Sequence, residues 1–373
     1  MPAVAIPPDL LPGDGRFGSG PSKVRSEAVE ALARAGSSYL GTSHRQEGVR
    51  SVVRRVRQGM RLLFSLPEGY EVLLGNGGTT AFWDAATFGL IRARSQHLSF
   101  GEFSSKFAKA ALAAPHLEQP DVIESPAGTH PLAVARPGID LYALTHNETS
   151  TGVSMEIRRP EAAEPDALVA VDATSAAGGL RVDPAQFDAY YFAPQKCFGS
   201  DGGLWIALCS PAAIERIEAM SGARWAPASL DLGIALDNSR KDQTYNTPAL
   251  ATLFLMREQL DWMLDNGGLE WSASRCDRSA EILYGWAEAS SYATPFVAKP
   301  DERSHVVGTI DLDPGVDAAT VSAVLRANGI VDTDAYRSLG RNQVRIAMFP
   351  AVEDHDVAAL TACIDHVVAS LST

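Results

Sequence analysis

Short apolar runs alternate with stretches of helical spacing through most of this chain, and that alternation limits what it can fold into. Runs at 70–74, 97–100, 141–145, 167–172, 189–193 and 203–209 have strand length and are apolar almost throughout. Between and before them, 26–35, 48–63, 80–93 and 104–114 carry apolar residues at helical spacing. The clearest is 48–63, where Val49, Val52, Val53, Val56 and Met60 form one stripe among arginines. Strands apolar on both faces belong in a sheet covered on both faces. The spacing therefore predicts an α/β fold with a mainly parallel central sheet in a large domain. In such sheets ligands gather where the polar loops leave the strands. The texture changes after Thr247-Pro248. A helix to about residue 265 is followed by further helices and by strands at 306–310 and 344–348. This predicts a small α+β C-terminal domain. The expected division is an N-terminal arm, 1–20, packing on the small domain, a large domain, 21–258, and the small domain, 259–373.

Asp172 closes one of the apolar runs, and Lys196 follows the next. A carboxylate and an amine so placed suit pyridoxal phosphate. The amine joins the cofactor's aldehyde, and the carboxylate keeps the ring nitrogen protonated so that the ring accepts electrons. Two unit charges about 4 Å apart at an effective dielectric of about 20 gain roughly 4 kcal/mol. That is about 3 pKa units, enough to turn a weakly basic pyridine into a cation at neutral pH. Taken singly, each residue has a plainer reading: Asp172 as a helix cap before Ala173, and Lys196 as a surface lysine.

Other motifs add to the pair. The segment 75–80, Gly-Asn-Gly-Gly-Thr-Thr, lies between a strand and a helix. Its glycines, Thr79 and Thr80 fit a phosphate cup or a plain turn. Phe103, after the next strand, either stacks on a cofactor ring or packs in the core. Thr149 either donates to a ring oxygen or closes a local turn. Gln195 precedes the lysine and can reach a phosphate or a ring oxygen. Asn246 and Thr247 either cap the helix that follows, with Pro248 in its first turn, or donate to a phosphate. His44 and Arg45 offer two cationic donors for an anion, or begin a solvated helix. Arg345 alternates with apolar residues on a strand; it either reaches out to water or meets a ligand's α-carboxylate.

Net charge is −13. Such a chain repels nucleic acid and anionic membranes, so neither is an expected partner. Anionic ligands would need local arginines, histidines and backbone N–H groups. The four cysteines, Cys197, Cys209, Cys276 and Cys363, form no CxxC pair and no zinc-like cluster. Free thiols, no bound metal and a cytoplasmic location are expected, since no signal peptide or membrane-length run is present.

The segments Phe17-Gly-Ser-Gly-Pro21-Ser, Ser43-His44-Arg45, Gly77-Gly-Thr79, Asn147-Glu148-Thr149, Val171-Asp172, Gln195-Lys196 and Asn246-Thr247-Pro248 together resemble the phosphoserine aminotransferase family. This is a fold-type I, pyridoxal 5′-phosphate-dependent group within the class V aminotransferases. The likeness runs from about residue 16 to about residue 350. It implies a homodimer with shared active sites, acting on small anionic amino acids and keto acids. The implied reaction joins 3-phosphohydroxypyruvate and L-glutamate to give O-phospho-L-serine and 2-oxoglutarate, in serine biosynthesis. Action on 3-hydroxy-2-oxo-4-phosphonooxybutanoate, in pyridoxal phosphate biosynthesis, is implied as well. By resemblance, Lys196 carries the cofactor and relays protons, Asp172 pairs with the ring nitrogen, Thr149 with the phenolic oxygen, and Phe103 stacks. Thr79, Thr80 and Gln195 hold the phosphate, with Asn246 and Thr247 from the other subunit. His44 and Arg45 take the distal anion, and Arg345 the α-carboxylate. Two positions depart from the family pattern: Thr79 stands where many members have arginine, and Phe103 where many have tryptophan. The rival readings are another class V enzyme, such as an alanine–glyoxylate or serine–pyruvate aminotransferase, and a cofactor-binding sensor without turnover. A desulfurase would need a mobile cysteine, and Cys363 lies in an expected helix.

Overall fold

The structure is a computed structural model and describes residues 4–371. In chain order its strands are β1 (Glu71–Asn76), β2 (Ser95–Ser99), β3 (Asp121–Glu124), β4 (Leu141–Thr145), β5 (Asn147–Glu148), β6 (Val153–Ser154), β7 (Leu168–Asp172), β8 (Ala189–Phe192), β9 (Leu204–Cys209), β10 (Ala293–Pro295), β11 (Val307–Leu312) and β12 (Gln343–Ala347). A seven-stranded sheet has the order β1-β9-β8-β7-β4-β2-β3. Pairing is parallel from β8 through β7, β4 and β2 to β3, and antiparallel at β8/β9 and β9/β1. The expected mainly parallel sheet is present, with β9 reversed. The reversal has a simple cause. No helix lies between Phe192 and Leu204, and a connection that short can only return antiparallel.

Both faces of the sheet are covered. Val169 and Val171 pack with Val53, Val56 and Met60 of the helix Glu47–Leu63 and with Leu260 of the helix Leu250–Asp265. Leu168 and Ala170, pointing the other way, pack with Phe82 and Ala86 of the helix Gly78–Gly89 and with Phe107 of the helix Glu102–Ala113. This two-sided burial explains why β7 shows no polar alternation.

β10, β11 and β12 form a second, antiparallel sheet. Its core brings Ile310 and Ile346 against Leu283 of the helix Gly268–Ala289 and Ile364 of the helix Asp354–Leu371. Ile6 and Phe17 from the N-terminal segment are buried in the same core. The Phe17 carbonyl accepts from Ala347 N. The expected boundary at residue 258 falls inside the unbroken helix Leu250–Asp265, whose Leu260 and Met263 belong to the large core.

Several elements lie outside the pattern expected from sequence, among them β3 and the helices Pro211–Ala223 and Leu232–Ser239. β3 is a half-exposed edge strand. The two helices start where Ser210 accepts from Ala213 N and Asp231 from Gly233 N.

Candidate active site

β1, β2, β4, β7 and β8 all point the same way, and the segments after their C-terminal ends line one cavity of about 480 Å³. Gly77, Gly78, Thr79 and Thr80 follow β1; Phe103 and Lys106 follow β2; Asn147 and Thr149 follow β4; Asp172 and Thr174 end β7; Gln195 and Lys196 follow β8. Gly20 and Pro21 of the N-terminal segment complete the wall.

Asp172 pairs in register with Thr145 of β4 and Tyr191 of β8, which fixes it at the centre of the sheet's edge. Its Oδ1 accepts from Thr174 N at 2.9 Å and Thr174 Oγ1 at 2.6 Å. Its Oδ2 accepts from Trp83 Nε1 at 3.1 Å. Burial pushes the carboxyl up to about 6, while the hydrogen bonds from Thr174 and Trp83 pull it down. Lys196 moves the opposite way. Burial lowers its amine to about 8, and the charge of Arg345 adds to the effect. At pH 7 about a tenth of such an amine is neutral and nucleophilic, against well under a thousandth of an ordinary lysine. Its Nζ donates to the Ser19 carbonyl. The backbone passes so close that a Cβ on Gly20 would lie 1.9 Å from Nζ. Gly20 also has φ +140°, so a glycine is required there twice over.

The rest of the wall fits pyridoxal phosphate. Gly77 and Gly78 have φ of +108° and +74°, and the helix Gly78–Gly89 starts there. Backbone N–H groups, the helix end and the hydroxyls of Thr79 and Thr80 therefore converge where an anion would sit. Thr79 Oγ1 is 2.8 Å from Thr174 Oγ1, tying this turn to the Asp172 loop. Gln195 Oε1 and Asn147 Oδ1 are buried without a partner among the described residues. Buried, unpartnered polar atoms beside a cavity mark places for a ligand. Thr149 lines the cavity, but its hydroxyl donates to Ser175 Oγ at 2.7 Å, which also receives Asn147 Nδ2 at 2.8 Å.

Arg345 lies on β12 and reaches across to the large sheet, donating to the Thr149 carbonyl at 3.4 Å. Its guanidinium stands 5.1 Å from the ring of Tyr336, and its Nε is buried without a partner among the described residues. It faces inward rather than to water. Phe103 stands edge-on to Tyr336, with ring centroids 5.8 Å apart.

Sequence reasoning gave no role to Glu148, Trp83 or Ser175. Glu148 is fully buried. Its Oε2 accepts from Phe103 N at 3.1 Å and Ser104 N at 2.8 Å, and its Oε1 from Ser150 Oγ at 2.7 Å. It thus caps the helix that carries Phe103, from β5, 45 residues away. One signal was available for Trp83: it lies one helical turn from Thr79, on the face that meets the cavity.

His44, Arg45, Asn246 and Thr247 do not line the cavity. They meet in a second cluster. Thr247 Oγ1 is 3.2 Å from His44 Nδ1, and Arg45 Nη1 donates to Gln243 Oε1 at 3.1 Å. Asn76, next to the cavity-lining Gly77, donates to the Thr247 carbonyl at 3.1 Å. The capping alternative for Asn246 and Thr247 is not what forms: the helix begins at Leu250, with Ala249 as its cap and no side-chain acceptor. Burial and the charge of Arg45 lower the pKa of His44. All four cysteines are free and buried, Cys363 within the helix Asp354–Leu371. Among the described residues no cluster has the makings of a metal site, and no helix is long and apolar enough to cross a membrane.

Comparison with known proteins agrees with this geometry. A phosphoserine aminotransferase of a Nocardioides species is 62% identical over 368 residues, covering 98% of each chain. One from Rhodococcus jostii is 60% identical over 367 residues, again 98% of each. The solved structure of a phosphoserine aminotransferase from Cytophaga hutchinsonii shares the fold, with a TM-score of 0.87 at 24% identity, over 94% of this chain and 99% of that one. Residues 124–349 match the family model described as aminotransferase class-V. A cavity built around Lys196 and Asp172, and matches of this extent, place the chain in the class V aminotransferase family.

Proposed function

We propose that this chain is a phosphoserine transaminase, converting 3-phosphohydroxypyruvate and L-glutamate to O-phospho-L-serine and 2-oxoglutarate. The observation that carries the reading is the shared cavity of Lys196 and Asp172, with a phosphate cradle at Gly77–Thr80. The choice of phosphoserine is supported by relatives of that name at about 60% identity. The same site suits 3-hydroxy-2-oxo-4-phosphonooxybutanoate, which also pairs a keto acid with a phosphate.

When bound, pyridoxal 5′-phosphate supplies an aldehyde and an electron-accepting ring. Lys196 Nζ is the base that takes a proton from the substrate's Cα and returns it on the far side of the transfer. Asp172, held by Trp83 and Thr174, would keep a proton on the ring nitrogen. Thr79, Thr80 and Gln195 would hold the phosphate, Phe103 would cover the ring, and Thr149 would reach the ring's oxygen by turning its hydroxyl away from Ser175. Arg345 orients the α-carboxylate through a paired fork. His44 and Arg45 hold the distal anion, and Asn246 and Thr247 reach the phosphate of a neighbouring site, in a homodimer with shared active sites. The location is cytoplasmic. The chain divides into an arm, a large unit through the helix Leu250–Asp265, and a small unit beyond it.

The test is optical. Purified protein given the cofactor is expected to show a visible absorbance band that bleaches with phosphoserine and returns with 2-oxoglutarate. A band that phosphoserine leaves untouched while alanine bleaches it would reject the substrate assignment. No band at all would reject the cofactor site.

A further inference from the structure

We propose that Lys106 sets specificity by gripping the anion at the far end of the substrate, a role that rests on the transaminase reading above. Among the described residues lining the cavity, two side chains carry a full positive charge, Lys196 and Lys106. Lys196 is committed to the cofactor. His44 and Arg45 lie outside the cavity of this chain and would meet a distal anion only at a neighbouring subunit's site, so the cation that the cavity's own chain adds beside them is Lys106.

Its surroundings hold it ready. Lys106 lies one turn beyond Phe103 on the helix Glu102–Ala113, and its Nζ is 5.1 Å from the Phe103 ring centroid. The electron-rich ring attracts the ammonium, and both side chains line the cavity. Its ion pair, to Glu102 Oε1 at 3.3 Å, joins side chains 42% and 35% exposed. Pairs so exposed to water are weak and easily exchanged. The other Glu102 oxygen accepts from Ser338 Oγ at 3.3 Å, so that carboxylate keeps a partner when the ammonium turns away. A compact ammonium acts as a point charge, and a phosphate dianion gains more from it than a carboxylate does.

The test uses holoenzyme carrying Lys106→Gln, titrated by calorimetry with 3-phosphoglycerate, which has both anions but neither amine nor ketone. Affinity is expected to fall about 10-fold or more, with Lys106→Arg retaining most of it. The KM for phosphoserine should rise in proportion with kcat unchanged. Alanine, with no distal anion, should react at the wild-type rate. Unchanged binding of 3-phosphoglycerate, or equal slowing of phosphoserine and alanine, would overturn the proposal; the latter would mean that Lys106 only supports Phe103. If the wild type ignores phosphoserine, the substrate reading fails instead. Glutamate against alanine then decides the role of Lys106 through the distal carboxylate.

Discussion

Lys196 and Asp172 depart from their ordinary titration in opposite directions for one reason: each has been taken out of water. For Lys196 the sign can be worked through. The folded amine sits near 8, against 10.5 for an ordinary lysine. Below pH 8 the cofactor-free protein therefore carries the cost of a buried cation, and between about 8 and 10.5 its stability rises with pH. Lys196→Met should then stabilise the cofactor-free protein at pH 7 by about 1–3 kcal/mol. That gain should shrink above pH 8 and vanish past 10.5. Urea unfolding across pH checks this; a gain that grows with pH would contradict it. The same variant should lose the cofactor's absorbance band. Asp172→Asn keeps the shape but loses the charge. It should slow the half-reaction by about 10²–10³-fold, which corresponds to roughly 3–4 kcal/mol. Stopped-flow bleaching with glutamate measures it. These two residues were legible because a charge at the end of an apolar run is conspicuous. Glu148, Trp83 and Ser175 were not, because their partners come from segments far away in the chain.

At the scale of elements, the helix Glu102–Ala113 depends on a carboxylate it does not contain. Glu148 satisfies its first N–H groups, and a Cβ on Gly101 would lie 2.3 Å from Glu148 Cγ. Gly101→Ala must push the cap aside, at a cost of about 1–3 kcal/mol. Glu148→Gln should cost about 1–2 kcal/mol from the weakened charged cap. Both should loosen Phe103 and weaken cofactor binding. Denaturant midpoints and the dissociation constant of the cofactor report the two effects separately. If either substitution leaves both unchanged, the cap does not position the ring. The strands themselves were readable from sequence, because burial on both faces writes a continuous apolar run. Their spatial order was not, since nothing in a run says which neighbour it will meet. The reversal of β9 follows from the length of a connection, and the edge strand β3 from a half-exposed pattern too faint to mark it.

At the scale of the whole molecule, the two clusters of candidate residues invite a single experiment. Lys196 lies in the cavity, while His44, Arg45, Asn246 and Thr247 gather outside it. If sites are shared between subunits, Lys196→Ala and Arg45→Ala proteins are each impaired. Refolding them together should restore part of the activity through hybrid dimers. Tagged hybrids isolated with no recovered turnover would show that each chain serves only its own site. The sequence could suggest such sharing by resemblance alone, because a surface cluster without a ligand in its own chain carries no intrinsic mark of what it faces.

The N-terminal segment is sewn to the three-stranded sheet through Phe17 and Ala347, and two residues later its Ser19 carbonyl rests on the amine of Lys196. The reactive nitrogen is therefore tethered to both halves of the chain. A shift of one sheet against the other would move that carbonyl relative to the nitrogen, so the hydrogen bond that holds the amine depends on how the halves are set.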